Sequence, residues 1–160
     1  MDNNKITAVY LAAGLSSRFG GIFKAMVKVG PKDESLLELS MKQTKKAGIT
    51  DFVFVVSNKT INILKDNFKD SFEDLPIKYV FQETPDYRER PFGTAHALLS
   101  AKKYVFNKFI VLNSDDLYGE HTLKLVIDYL TKKKDSYCMA GYKLKNTISN
   151  IGELIEDYLK

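Results

Sequence analysis

An unbroken apolar run, Phe52-Val53-Phe54-Val55-Val56, constrains the fold of this chain more than any other segment. A strand with one face in water alternates apolar and polar residues, and this run does not alternate. Three of its five residues are β-branched, which favours a strand over a helix. The run is therefore typical of a central parallel strand that is covered on both faces.

Strand and helix patterns alternate along the rest of the chain. Further strands are predicted at residues 6–11, 77–81, 109–112 and about 137–142. Helices are predicted at residues 36–46, from about 58 to 68, at 94–104 and around 123–130. This alternation predicts an α/β fold with a mostly parallel sheet and helices on both faces, built as a single domain over residues 1–160.

Individual residues mark some of the element ends. Gly48 is expected to end the first helix, and Ser57 or Asn58 to cap the second. His121 is expected near the start of the last helix, and Cys138 is expected to pack in the last strand.

The composition fits a globular domain that acts on a small anionic partner. Of 160 residues, 44% are hydrophobic and 28% are charged, and no apolar run approaches the length that crosses a bilayer. The net charge of +4 is spread over scattered lysines, without aromatic interleaving or zinc-ligand spacing, which argues against nucleic acid. A single cysteine and a start without a secretory signal favour the cytoplasm, and no membrane partner is expected.

The loop after the first predicted strand carries small residues followed by two cations. It begins Leu11-Ala12-Ala13-Gly14, and Arg18 and Lys24 follow. Small residues let backbone N–H groups approach phosphate oxygens, and the cations can neutralise phosphate charge. The loop matches neither the Walker pattern nor the Gly-x-Gly-x-x-Gly dinucleotide pattern. The alternative is an ordinary strand-to-helix turn with surface cations.

A second polar segment follows the strand predicted at residues 77–81. Gln82 can both donate and accept hydrogen bonds, as base recognition requires. Gly93 and Thr94 open a predicted helix whose N-terminus offers free N–H donors. In the structural alternative, Thr94 is a helix cap and His96 is a packed helix residue, and for His96 we favour this alternative.

A third segment, Asp115-Asp116, follows the strand predicted at residues 109–112. Carboxylates at such a position suit Mg²⁺, which is usually held by one or two carboxylates plus substrate phosphates. Because neighbouring side chains diverge, we expect one direct ligand, Asp115, with Asp116 as the alternative. The structural alternative is a turn in which Asp116 or Ser114 caps the next helix. Connections that follow parallel strands share one edge of the sheet, so the three segments are expected to lie together.

The three segments together resemble those of the sugar-1-phosphate nucleotidyltransferases, also called nucleotide-sugar pyrophosphorylases. The resemblance runs from about residue 5 to about residue 143. It rests on Leu11-Ala12-Ala13-Gly14-x-x-Ser17-Arg18 with Lys24, on Gly93-Thr94-Ala95-His96-Ala97, and on Asp115-Asp116-Leu117-Tyr118-Gly119. It implies a Rossmann-like three-layer α/β/α fold. It also implies Mg²⁺-dependent transfer of a nucleoside monophosphate from a nucleoside triphosphate to a sugar 1-phosphate, with release of pyrophosphate.

The resemblance also implies roles by position. Arg18 and Lys24 would be catalytic contacts to the phosphates, and Asp115 would hold the metal. The implied nucleotide-binding residues are Leu11, Ala12, Ala13, Gly14, Gln82, Gly93 and Thr94. The Gly-Thr-Ala-His-Ala form favours UTP or dTTP as the nucleotide.

The chain departs from the family pattern in two respects. Ser16 stands where the family often has glycine, a form that related cytidylyl and molybdopterin guanylyl enzymes share. The chain is also shorter, and we expect it to lack the C-terminal part that contacts the acceptor and supplies a second metal-binding aspartate. Its tail has apolar residues at helical spacing that could pack on the sheet or pair subunits of a homo-oligomer, namely Ile151, Leu154, Ile155 and Tyr158.

Two alternatives to the sugar-phosphate reaction stay open, the first because the acceptor-binding part is expected to be missing and the second because the sequence does not identify the acceptor. One is a non-catalytic nucleotide-binding, regulatory or interaction domain. The other is a nucleotidyltransferase for another phosphorylated acceptor, such as a polyol phosphate, phosphocholine or the molybdenum cofactor.

Overall fold

The computed structural model describes residues 5–14, 23–88, 91–133 and 136–147. Its strands are β1 (Ile6–Leu11), β2 (Asp51–Val56), β3 (Ser71–Phe72), β4 (Leu75–Phe81) and β5 (Lys108–Asn113). Its α-helices are α1 (Leu36–Ala47), α2 (Ile61–Phe68), α3 (Thr94–Ser100) and α4 (Glu120–Lys132). Single 3-10 turns lie at Lys24–Met26, Lys102–Tyr104 and Leu144–Asn146.

The five strands form one sheet in the order β3-β4-β2-β1-β5. β1 is parallel to both β2 and β5, and β2 is parallel to β4, so the predicted mostly parallel sheet is confirmed. Only the short β3, in the described residues, runs antiparallel to its neighbour. The chain moves outward from β1 to β2 and β4 and then returns to the other side of β1. This reversal leaves a crevice between the carboxyl ends of β1 and β5, where open α/β sheets bind ligands.

Helices cover both faces of the sheet, as the sequence predicts. On one face, α1, α2 and α4 contribute Leu37, Leu64 and Leu123 to a core that also contains Tyr10 and Phe54. On the other face, α3 and the residue after it pack Ala97 and Ala101 against valines of β1, β2 and β4. Within the described part of the chain, no helix combines the length and apolar character that crossing a membrane requires.

The first helix shows how local sequence sets an element's bounds. Ser35 and Glu38 form a capping box, in which the Ser35 side chain accepts from the Glu38 N–H and the Glu38 carboxylate accepts from the Ser35 N–H. At the other end Gly48 adopts a φ of 110°, a conformation that favours glycine, which confirms it as the helix stop.

Three expectations about the elements are wrong. Residues 137–142 form no strand and Cys138 is exposed, because no described neighbour pairs with this apolar stretch and strand propensity alone cannot satisfy its backbone.

The other two corrections concern helix ends. Thr60, rather than Ser57 or Asn58, is the N-cap of α2. The Ser57 carbonyl instead accepts from the N–H groups of Thr60 and Ile61, which adds a turn before the helix. The helix predicted at 94–104 ends at Ser100, and a separate 3-10 turn follows.

Tyr10 lies at the centre of the larger core. Its ring stacks on Phe54 with centroids 5.3 Å apart. Its hydroxyl lies 2.8 Å from the Ser40 Oγ and 3.2 Å from the Thr44 Oγ1, which ties β1 to α1 through a buried polar contact. Burial raises the pKa of Tyr10 to about 12, although the two hydroxyl contacts lower it in part.

Replacing Tyr10 with phenylalanine is expected to lower the free energy of unfolding at pH 8 by about 1–2 kcal/mol, because Ser40 loses its buried partner. An unfolded tyrosine ionises near pH 10, whereas Tyr10 in the folded chain ionises near pH 12. The unfolded state therefore binds fewer protons in this window, and the Tyr10 contribution to stability falls as the pH rises from about 10 to about 12. Urea unfolding at pH 8 and pH 11 should show the difference between the two proteins narrowing at pH 11. A constant difference would contradict the assignment.

Candidate functional site

A cavity lies at the carboxyl edge of the sheet, between β1 and β5. It has a volume of about 210 Å³ and is lined by Leu11, Gly14, Phe23, Lys24, Ala25, Ser114 and Asp115. The lining unites the start of the predicted phosphate loop, its second cation and the predicted metal ligand. The structure thus brings together residues that are about 100 positions apart in the sequence.

The strand ends hold the two walls of the cavity in register. The Ser114 N–H donates to the Leu11 carbonyl, so the parallel pairing of β1 and β5 continues to the cavity floor. The Ala12 N–H donates to the Val55 carbonyl at 2.8 Å and Ala12 is buried, which gives this residue a structural role. Ala13 and Gly14 are the loop residues whose backbone extends past the sheet. A Cβ added to Gly14 would meet no atom of the described residues within 4 Å, so none of them blocks a ligand that approaches the backbone there.

Lys24 is positioned by the 3-10 turn that it begins. Phe23 and Ala25 on either side of it are buried, and the turn is closed by the Met26 N–H donating to the Phe23 carbonyl. Buried neighbours fix the backbone on which Lys24 stands, and Lys24 is one of the residues that line the cavity. Arg18, the other predicted phosphate cation, lies outside the described residues, so its role stays a prediction.

The two adjacent carboxylates differ in their surroundings. Asp116 Oδ2 accepts a hydrogen bond of 2.8 Å from the Asn113 side chain. Asp115 is exposed and lines the cavity. The turn that carries both residues is braced by Tyr118, whose hydroxyl accepts from the Asn113 N–H. The arrangement favours Asp115 over Asp116 as a ligand, and neither Asp116 nor Ser114 caps α4, whose N-cap is Gly119.

Tyr118 connects this turn to its surroundings on both sides. Burial raises the pKa of its hydroxyl, and the hydrogen bond from the Asn113 N–H opposes that rise in part. The Tyr142 hydroxyl donates to the Tyr118 carbonyl at 2.7 Å, so the last described segment is anchored to the loop that carries Asp115.

The donor set fits a metal that is shared with a substrate. Among the residues the structure describes, no three His, Cys, Asp or Glu side chains lie close enough together to hold a metal ion. A metal site built from three or more such side chains is therefore absent from this part of the chain. One hard carboxylate beside a phosphate-sized cavity suits Mg²⁺, which commonly takes one or two carboxylates and completes its shell with phosphates and water.

Gln82 stands at the same edge, two strands away from β1. Its N–H donates to the Val56 carbonyl, which fixes it at the carboxyl end of β4, and its side chain is nearly buried. Its Nε2 donates to the Phe92 carbonyl at 2.7 Å and lies 3.3 Å from the His96 Nδ1. His96 is thus a partner of the proposed base-binding residue as well as a packed residue, a role that the helix pattern did not reveal.

Gly93 and Thr94 begin α3 as predicted, with Gly93 as the N-cap rather than Thr94. Both are exposed, and in the part of the chain that the structure describes no atom lies within 4 Å of a Cβ added to Gly93. Strands in a sheet lie about 4.8 Å apart, so β4 and β5 are separated by three spacings, or roughly 14 Å. An extended nucleoside triphosphate is of comparable length, so a base beside Gln82 is compatible with phosphates beside Gly14 and Asp115.

Sequence reasoning missed the residues that hold the site in shape. Asn113 orients Asp116, and Tyr118 braces the turn. The Phe92 carbonyl orients Gln82. The only available signal was the position of Asn113 at the end of a predicted strand, since a backbone carbonyl leaves no mark in a sequence.

Comparison with known proteins extends these observations. The family described as MobA-like NTP transferase domain matches residues 8–146. D-glycero-alpha-D-manno-heptose 1-phosphate guanylyltransferase of Campylobacter jejuni is 32% identical over 123 residues, which cover 76% of this chain and 52% of that protein. The bifunctional IPC transferase and DIPP synthase of Archaeoglobus fulgidus is 29% identical over 126 residues, which cover 75% of this chain and 22% of that protein. The chain spans about half the length, or less, of these curated relatives.

Solved structures show the same fold. UDP-glucose pyrophosphorylase complexed with UDP-glucose superposes with a TM-score of 0.61 at 21% identity, covering 80% of this chain and 54% of that chain. HddC from Yersinia pseudotuberculosis complexed with GMP-PN superposes with a TM-score of 0.53 at 28% identity, covering 68% of this chain and 47% of that chain. These similarities confirm the Rossmann-like three-layer fold that the sequence resemblance implied.

Proposed function

The chain belongs to the family of MobA-like NTP transferase domains, and from this membership we propose that it binds a nucleoside triphosphate with Mg²⁺ and transfers the nucleoside monophosphate to a sugar 1-phosphate. The observation that carries the proposal is one cavity at the β1–β5 crevice, lined by Gly14, Lys24 and Asp115. The guanylyltransferase of Campylobacter jejuni, named for a sugar 1-phosphate, supports the proposed acceptor class.

The proposed reaction needs no protein nucleophile. An oxygen of the acceptor phosphate attacks the α-phosphorus in line, a new P–O bond forms, and the bond to the bridging oxygen breaks. The electron pair of that bond leaves with pyrophosphate. Because the attacking phosphate is already anionic, no base has to remove a proton, and the protein contributes position and charge neutralisation.

Each site residue has a distinct part in this proposal. Ala13 and Gly14 offer backbone N–H groups to the phosphates, and Gln82 contacts the base. Lys24 neutralises phosphate charge at the reacting centre, and Arg18 is assigned to the leaving pyrophosphate from the family resemblance. Asp115 holds Mg²⁺, which when bound lowers the negative charge that separates the reacting phosphates.

We keep UTP or dTTP as the proposed nucleotide, with GTP as the main competitor. UTP is supported by the Gly-Thr-Ala-His-Ala pattern, and GTP by the guanylyltransferase relative. The proposed acceptor is a sugar phosphate, and the second candidates are other phosphorylated acceptors, namely a polyol phosphate, phosphocholine or the molybdenum cofactor. The cytoplasmic location and the homo-oligomer stay predictions.

Pyrophosphate release tests the proposed function. The chain is incubated with Mg²⁺, each of five nucleoside triphosphates and a panel of sugar 1-phosphates, and pyrophosphate is measured by a coupled phosphatase assay. We expect release that requires triphosphate, acceptor and Mg²⁺ together. Triphosphate binding without release for any acceptor would favour a non-catalytic nucleotide-binding domain. Absence of both binding and release would overturn the nucleotide site.

A further inference from the structure

Ser114 is a buried serine that the proposed reaction does not use. It directly follows the last residue of β5, and its exposed fraction is only 4%. Two earlier residues of the same strand, Ile110 and Leu112, belong to the larger core. Because side chains alternate along a strand, Ser114 continues this inward series. A polar hydroxyl therefore stands where the strand pattern has placed apolar side chains.

The Ser114 side chain differs from the other buried polar side chains in its hydrogen bonding. Seven polar residues are buried in the described ranges of the chain. Six of them have a side-chain hydrogen bond to another group of the protein, namely Thr7, Ser35, Ser40, Thr44, Thr60 and Gln82. Only for the Ser114 hydroxyl do the described residues provide no partner. A buried hydroxyl without a partner costs free energy, so it requires an explanation other than stability.

Ser114 lies in the wall of the β1–β5 cavity. It lines this cavity together with Lys24 and Asp115. Because β1 and β5 are paired, Ser114 lies one strand spacing, about 4.8 Å, from the residues that begin the proposed phosphate loop. The one enclosed side-chain polar atom without a partner in the described residues belongs to Gln43, so described protein does not enclose the Ser114 hydroxyl. A ligand in the cavity can therefore reach it.

We propose that the Ser114 hydroxyl donates a hydrogen bond to a phosphate oxygen of the bound triphosphate. The inference rests on the proposed function, because it assumes that phosphates occupy this cavity. Phosphate oxygens accept hydrogen bonds, and the hydroxyl is a donor for which the described protein has no acceptor. A hydrogen bond to a charged oxygen is stronger than one between neutral groups, so the bound ligand offsets the cost of burying the hydroxyl. Ser114 thus serves binding at the expense of the stability of the ligand-free chain.

The alternative partner of the hydroxyl is the metal ion. A serine hydroxyl can bind Mg²⁺, as the hydroxyl of a P-loop does. Asp115, the next residue, is already the proposed metal ligand, and successive side chains of an extended segment point to opposite sides. Ser114 and Asp115 are therefore not expected to reach the same ion. This favours phosphate as the partner of Ser114.

The melting temperature of the ligand-free chain is the first test. Ser114→Ala removes the hydroxyl without breaking a hydrogen bond to any described residue, so the melting temperature should stay the same or rise. The matched control is Ser40→Ala, because Ser40 is also buried and its Oγ lies 2.8 Å from the Tyr10 hydroxyl. This variant should melt at a lower temperature. An equal fall for the two variants would identify a structural hydroxyl at Ser114 and overturn the inference.

Phosphate binding is the second test. Dissociation constants of UTP, GTP and tripolyphosphate, which has no base or sugar, are measured by titration calorimetry with excess Mg²⁺ and again with a chelator. Ser114→Ala should weaken binding of all three ligands that bind the unmodified chain by about 10- to 100-fold, with and without Mg²⁺. Ser114→Thr keeps the hydroxyl and should retain most of the affinity. Ser40→Ala should leave the affinity unchanged at a temperature where it is folded.

The outcomes distinguish this inference from the proposed function. Full affinity in Ser114→Ala, beside a binding unmodified chain, would overturn the inference and leave the nucleotide site intact. A loss seen only with Mg²⁺ would assign the hydroxyl to the metal, and a loss seen only for nucleotides would assign it to the base or sugar; either would overturn the phosphate contact. If none of the three ligands binds the unmodified chain, the proposed function fails, and the inference with it. Should Ser114→Thr fail to fold, the two alanine variants still decide the question.

Discussion

Replacing Asp115 with asparagine is expected to lower kcat/KM for pyrophosphate release by about 10²- to 10³-fold, with little change in stability. Asp115 is exposed and lines the β1–β5 cavity, so the amide can be accommodated without disturbing the core. The neutral side chain would lose most of its attraction for Mg²⁺, and the concentration of Mg²⁺ that gives half-maximal rate should rise. Steady-state rates over a Mg²⁺ series measure both effects.

Two further variants make this prediction specific to Asp115. Asp116→Asn should lower kcat/KM less, by about 10- to 100-fold, because Asp116 interacts with Asn113 and shapes the turn. Asp128→Asn, on α4 and away from the cavity, should leave the rate and its Mg²⁺ dependence unchanged. A larger loss with Asp116→Asn than with Asp115→Asn would reverse the assignment of the ligand.

Much of the fold was predictable because its strands are buried and parallel. The β1 bounds agree with the prediction at both ends, and the bounds of β2, β4 and β5 agree within two residues. An apolar run such as 52–56 has few alternatives once it must be covered on both faces. The antiparallel β3 was missed because two residues carry no periodic signal. The strand prediction at 137–142 was wrong because no described strand lies beside these residues to pair with them.

The candidate site was predictable only as a set of positions. A parallel sheet places every strand's carboxyl end at one edge, so Gly14, Gln82 and Asp115 could be grouped from the sequence. Which atoms of these residues remain available depends on contacts made by other elements. Ala12 uses its N–H to join β2, and the Phe92 carbonyl, ten residues along the chain, turns the Gln82 amide nitrogen inward. Such contacts arise from the packed fold and have no local pattern.

The second large effect is expected from replacing Lys24 and Arg18, the two cationic residues proposed to contact the phosphates. Lys24→Met should lower kcat/KM by about 10²- to 10³-fold, because an ammonium beside the reacting phosphates would be replaced by an uncharged chain of similar length. Lys24 stands on a turn with buried neighbours, so the variant should keep its fold and melting temperature. The Arg18→Met and Lys24→Met double variant should lose both turnover and most triphosphate affinity, since repulsion among the phosphates would be left without either cation.

Lys32→Met is the charge-matched control for Lys24→Met. Lys32 lies in the turn before α1, is exposed and does not line the cavity, yet its loss changes the net charge by the same unit. If the chain attracted the triphosphate only through its overall positive charge, Lys24→Met and Lys32→Met would lower the rate of pyrophosphate release equally. The loss would then be larger at low salt than at high salt. A local role at the reacting phosphates predicts a large loss for Lys24→Met alone, which persists at 0.5 M salt. Rates of pyrophosphate release at low and high salt therefore distinguish a positioned catalytic cation from the charge of the chain as a whole.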